Sequence, residues 1–145
     1  MKKFFKKYFV VIIGIVICLA FIGLSILNEA IKESKTELDP FKEDFPKLEY
    51  SVVVLARSTC THCHNLKPRI TKVTTDYDIP LYWFTVDLMS KKDINYLMEL
   101  FSDHDYEGYV PYIAISNNGE IVASHTGELK ESEVIDFFKE NNIIK

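Results

Sequence analysis

"YSVVVLARSTCTHCHNLKP", Tyr50 to Pro68, holds the residues on which both fold and chemistry turn. Its first seven residues, Tyr50 to Ala56, form a β-branched apolar run that reads as a buried strand. Ser58 and Thr59 follow, and both are helix-start residue types. Two cysteines and two histidines then fall within five residues, Cys60-Thr61-His62-Cys63-His64. Three chemistries compete for that cluster. C-x-x-C-H is a haem-attachment pattern, C-x-H-C-H offers soft metal ligands, and C-x-x-C alone is a dithiol that opens and closes as a disulfide.

The rest of the chain supplies the context. A helix is expected from the Ser58-Thr59 start to about Tyr77, with Leu66, Ile70 and Val73 on one face and a kink at Pro68. "IPLYWFTVDL", Ile79 to Leu88, reads as a second strand. "KKDINYLMELFSDH" is amphipathic through Ile94, Leu97, Met98 and Phe101. "VPYIAIS" is a third strand with Pro111 at its opening, where proline is tolerated. Asn118-Gly119 is a hairpin signal, "IVASHTG" a fourth strand, and "ELKESEVIDFFKENN" a last helix through Leu129, Val134, Phe137 and Phe138. The order β-α-β-α-β-β-α predicts an α/β domain with a crossover helix, an antiparallel hairpin and a covering helix.

A cysteine pair at a strand exit and helix entrance favours the dithiol reading. The first cysteine meets unpaired N–H groups and the positive end of the helix dipole, which favour thiolate, the attacking species. Two intervening residues let Cys63 reach Cys60 across one turn. Haem attachment asks for helices around the group and a distal ligand, and Met89 and Met98 fit better at a strand end and in a helix core. Two cysteines make half a tetrahedral zinc site, with no second pair at suitable spacing. The expectation is therefore no cofactor and no metal. His64, His104 and His125 read as ordinary surface or packing residues, and Arg57 as a solvated loop residue.

The segment from Tyr50 to Asn142 resembles the thioredoxin-fold thiol–disulfide oxidoreductases. The residues that carry the resemblance are Cys60-Thr61-His62-Cys63, Pro68 five residues on, Asp87 in "TVDL", "VPYIAISNNGEIV" and Gly127. The resemblance implies a central mixed sheet of about four strands flanked by helices. It implies a catalytic set of Cys60, Cys63, His62 and Pro111, with a Cys60–Cys63 disulfide and Pro111 in cis. It places the substrate peptide against the Val110 backbone as an added strand. Thr61 and Tyr112 are further candidate substrate-binding residues, and Tyr106, Tyr109 and Tyr112 around Pro111 read equally as a groove rim or as core and edge packing. His62 and Val110 resemble the DsbA-type oxidases, and a histidine before the second cysteine favours the reduced form, leaning the pair toward oxidation. Two positions depart from the family: Thr59 stands where thioredoxins have tryptophan, and Val54 where both branches usually have a buried acid. The proton acceptor is left unassigned.

The N-terminus differs from the rest. "MKKFFKKYF" carries four lysines and no acid, and Phe9 to Leu27 is 19 residues without a charge. About 20 apolar residues suffice to cross a bilayer as a helix. The lysines place the N-terminus in the cytoplasm and Glu29 onward outside. Asn28-Glu29-Ala30 is a poor cleavage site, so an uncleaved anchor is favoured over a signal peptide. Cys18 reads as a small apolar residue within that span. The expected organisation is a basic tail 1–8, one transmembrane helix 9–27, a linker 28–40 and a thioredoxin-like domain 41–145. Setting aside those four of the 17 basic residues leaves 13 against 21 acidic ones, net −8, which disfavours nucleic acid as a partner. The anchor, the small size and the lysine-rich start resemble membrane-tethered thioredoxin-like proteins of Gram-positive bacteria, including bacteriocin accessory proteins. The expected function is extracytoplasmic thiol–disulfide exchange with protein or peptide thiols. The alternatives are a non-catalytic module holding an exported peptide or transporter, and an electron-carrying haem protein.

Overall fold

The computed structural model of the chain describes residues 16–19 and 38–145. The basic tail, most of the expected span 9–27 and the linker up to residue 37 lie outside the described residues. Residues 16–19 are helical and exposed. Among the described residues, no helix is long and apolar enough to cross a membrane. Two compact units divide at Asp39/Pro40, and the second carries the sheet.

The elements are α1 (Leu38–Asp44), β1 (Tyr50–Ala56), α2 (Thr61–Asp76), β2 (Leu81–Thr85), α3 (Lys91–Phe101), β3 (Tyr112–Asn117), β4 (Glu120–Thr126) and α4 (Glu131–Glu140). They form one four-stranded sheet in the order β2-β1-β3-β4. β1 pairs parallel with β2 and antiparallel with β3, and β3 pairs antiparallel with β4. The mixed sheet follows from the connections. A crossover helix returns β2 parallel to β1, whereas the Asn118-Gly119 turn can only join antiparallel neighbours. Asn118 and Gly119 both take positive φ, 50° and 83°, as a tight two-residue hairpin requires.

Alternation along β1 and β3 builds two cores. On one face, Val52, Val54, Ile113 and Ile115 meet Leu66, Ile70 and Val73 of α2 and Val134 and Phe138 of α4. On the other, Tyr112 stacks edge-on against Phe101 of α3, and Phe41 contacts Tyr82 and Phe84 of β2. Fully burying one such side chain contributes about 1.5–3 kcal/mol, so both faces of β1 are anchored by its neighbours.

Several boundaries differ from the sequence reading. The second strand is only Leu81–Thr85, because Pro80 precedes it and Val86–Leu88 tightens into a 3-10 turn. The third strand begins at Tyr112, after Pro111. Leu129 is buried ahead of α4, which starts at Glu131, where the Glu133 carboxylate accepts from the Lys130 backbone N–H at 2.7 Å. α1 falls on a stretch divided between linker and domain, and with the following 3-10 turn it buries Phe41 and Phe45. Pro68 lies inside α2, which runs on through it.

Candidate active site

Cys60 is the N-cap of α2, with extended backbone at φ −85° and ψ 109°. In that position its side chain faces the open first turn, and the Cys63 backbone N–H donates to Cys60 Sγ at 3.1 Å. The two cysteines are joined as a disulfide with Cα atoms 5.2 Å apart. Their exposure differs: Cys60 is half-buried, whereas Cys63 is 2% exposed. Cys60 is thus the sulfur an incoming thiol can reach. The N–H aimed at it is a donor that a thiolate accepts more strongly than a thiol does.

The loop before β3 lies against this sulfur. The Val110–Pro111 peptide is cis, and the Val110 carbonyl oxygen sits 3.9 Å from Cys60 Sγ. The Pro111 carbonyl accepts from the Gly127 N–H at 2.8 Å, tying this loop to the segment after β4. Gly127 has φ 122°, a backbone region that side chains strain. Between these loops and α2 lies a cavity of about 550 Å³, lined by residues that include His62, Arg69, Val110, Pro111, Gly127 and Glu128.

Glu128 organises one wall of it. Its carboxylate accepts from His62 Nδ1 at 2.7 Å, from Arg69 Nη1 at 2.7 Å and from Asn65 Nδ2 at 3.4 Å. Arg69 Nη1 also donates to the Leu129 carbonyl. The Glu128 carboxyl is held below its ordinary value chiefly by the His62 hydrogen bond. Partial burial opposes that shift, and Asn65 and Arg69 add to it. The His62 side chain is 71% exposed and that of Glu128 only 21%, so the carboxylate is the fixed partner. One turn further along α2, Lys72 pairs with Glu131 at the start of α4.

On the other side of the dithiol, Asp87 accepts from the Ser58 N–H at 2.9 Å and from the Ser58 hydroxyl. Those bonds, the hydroxyl first, lower its carboxyl below the ordinary value. Asp87 thereby pins the loop that delivers Cys60. A second cavity of about 490 Å³ opens here among Leu55, Ile94, Leu97, Met98 and Tyr106, with Arg57 and Thr59 also in its lining.

The structure therefore brings Cys60, Cys63, His62, Val110 and Pro111 together. Thr61 is exposed at the first residue of α2 and lines neither of these two cavities. Tyr112 does not reach the groove. It is fully buried, packs against Phe101 and Tyr106, and donates its hydroxyl to the His104 carbonyl at 2.6 Å. As the first residue of β3 its side chain turns into the sheet, so its assignment to the substrate side is corrected. Glu128, Arg69 and Asp87 are the polar residues whose part in the site the sequence did not disclose. Val54, where an acid was looked for, is buried among apolar neighbours. No group of three or more potential metal ligands occurs among the described residues.

No curated protein sequence matches the chain. A structure described as "a putative oxidoreductase with a thioredoxin fold" superposes with a TM-score of 0.57 at 19% identity, over 68% of this chain and 86% of that one. Oxidised thioredoxin from Plasmodium falciparum gives 0.57 at 16% identity, over 70% and 89%. Thioredoxin from Aeropyrum pernix gives 0.55 at 21%, over 70% and 82%. At these identities the likeness speaks for the fold. The thioredoxin family model matches residues 32–140. Because that match runs from before α1 to the end of α4, the chain belongs to the thioredoxin family.

Proposed function

We propose that the protein is a thiol–disulfide oxidoreductase whose working dithiol is Cys60–Cys63. The observation that carries this reading is the placement of Cys60. It is a half-buried sulfur at a helix N-cap, bonded to a buried cysteine and lying 3.9 Å from a loop carbonyl. In the reduced state the Cys60 thiolate attacks a substrate disulfide and forms a mixed disulfide. Cys63 then attacks Cys60 Sγ, and the substrate leaves as a dithiol. In the oxidised state a substrate thiol attacks Cys60, Cys63 leaves as thiolate, and a second substrate thiol releases Cys60 with its own disulfide formed. An extended peptide beside Val110 fits this chemistry, because its sulfur would then enter next to Cys60.

The finer reading is an oxidase outside the cytoplasm, held by the apolar segment 9–27. The oxidase leaning rests on His62 at the second position of α2, and the location on the lysines that precede the apolar segment. The partners are protein or peptide thiols.

The test uses the full chain in detergent. Oxidation of a reduced two-cysteine peptide with oxidised glutathione as terminal oxidant, and insulin reduction with dithiothreitol, should both be accelerated. Cys60→Ser should abolish both. No acceleration in either direction would defeat the reading and leave a non-catalytic module that holds a peptide or transporter.

A further inference from the structure

Thiol exchange moves protons as well as electrons. A thiol attacking Cys60 must lose its proton, so the site needs a base near the entering sulfur. The core cluster under α2, with Val52, Val54, Leu66 and Ile70, is built from apolar side chains. The one buried acid among the described residues, Asp93, belongs to the cap of α3. It accepts from the Ser90 hydroxyl at 2.7 Å and lies 3.9 Å from Lys42 Nζ. The base must therefore face the groove, and His62 is the imidazole that lines it beside Val110 and Pro111.

We propose that Glu128 is the positioning residue that makes His62 the base of the exchange step, by holding Nδ1–H and leaving Nε2 to take the substrate thiol proton. This rests on the dithiol-exchange reading above. An ionised carboxylate can only accept hydrogen bonds, so His62 Nδ1, 2.7 Å from Glu128 Oε2, is the donor. In a neutral imidazole the sole lone pair then lies on Nε2. The carboxylate is itself fixed, by Arg69 Nη1 on its other oxygen and by Asn65. The backbone leading to it is fixed by the Gly127 N–H on the Pro111 carbonyl. The step balances. The substrate S–H proton passes to His62 Nε2, the substrate sulfur bonds to Cys60 Sγ, and the Cys60–Cys63 bond breaks with its electron pair on Cys63. The charged groups facing His62 are Glu128 from the loop after β4, Arg69 from α2 itself, and Lys130 and Glu133 from the start of α4. Val110 and Pro111 add no charge.

The test reacts the oxidised full chain with excess reduced glutathione and counts the remaining Cys60–Cys63 disulfide after rapid acid quench, across pH. Below the ionisation of the glutathione thiol, Glu128→Gln should slow the reaction by about tenfold or more, a share of the roughly hundredfold or more that a positioned base supplies. At alkaline pH, where the nucleophile is already thiolate, the variant should match wild type. Glu128→Asp should recover part of the rate, and His62→Gln with Glu128→Gln should be no slower than His62→Gln alone. Lys72→Gln, which breaks the neighbouring tie to Glu131, should stay within about twofold, as expected for an exposed ion pair. Equal rates for wild type and Glu128→Gln at every pH, or a uniform slowing that persists at alkaline pH, would overturn the role of Glu128. A wild-type disulfide that glutathione does not open at all would instead overturn the exchange reading.

Discussion

Cys60 and Cys63 are covalently joined yet sit in different surroundings, one half-buried at a helix cap and one 2% exposed. When the pair is reduced, the N–H groups at the head of α2 stabilise the Cys60 thiolate, and Cys63 has no comparable access to solvent. Alkylation of the reduced chain at mildly acidic pH should therefore label Cys60 first, as read by peptide mapping. Faster labelling of Cys63 would reverse the roles. His62 makes a second claim. Proline at that position cannot supply a hydrogen-bonding or charged ring near Cys60, so His62→Pro should lower the reduction potential, by about 30 mV for every 1.4 kcal/mol of thiolate stabilisation lost. Glutathione titration of both forms measures this, and an unchanged potential would remove the oxidase leaning. At this scale the sequence disclosed the residues that sit in one short motif, Cys60, His62 and Cys63. It could not disclose Glu128, which lies 66 positions from His62 and meets it only because the fold lays the segment after β4 beside α2. Tyr112 was misplaced for the opposite reason: adjacency to Pro111 says nothing about which way the strand turns the next side chain.

Elements were legible where periodicity is strong. β1, α2 and the β3–β4 hairpin stand where apolar runs and the Asn118-Gly119 turn put them. Their ends moved where a local bond outweighs pattern, as at the 3-10 turn Val86–Leu88, whose Asp87 faces Ser58 instead of continuing a strand. Asp87→Ala should free the loop that carries Cys60 and lower the denaturant midpoint at neutral pH. The sign with pH follows from its lowered carboxyl value. The stabilisation is fully present above the unfolded-chain value near 3.8 and is lost as pH falls through the lower folded value. Unfolding curves of wild type and Asp87→Ala should thus converge well below the carboxylate range. A gap that persists there would mean that Asp87 acts through packing, not through its charge. α1 escaped the sequence reading because seven residues with an internal Pro40 show too little periodicity to separate a helix from a linker.

For the whole molecule, the sheet order and the two cores follow from element order and strand alternation, so the fold class could be read from the chain alone. The N-terminal third makes a separate claim through composition. Four lysines before 19 uncharged residues predict a chain that stays with the membrane on alkaline carbonate extraction. In intact cells, Cys60 should react with a membrane-impermeant maleimide after mild reduction. Recovery in the soluble fraction, or labelling only after lysis, would contradict the anchored, outward-facing arrangement.

If Cys60–Cys63 is a working redox couple, it opens and closes reversibly with the thiol–disulfide poise around it. The most direct measurement is equilibration of the full chain across a series of glutathione buffers, with the two thiols counted by acid quench and alkylation. One reversible two-electron transition is expected, at a potential above the roughly −270 mV of thioredoxin and toward the roughly −120 mV of the strongest dithiol oxidants. A disulfide that stays closed throughout the series, with a potential below about −300 mV as structural disulfides have, would contradict it.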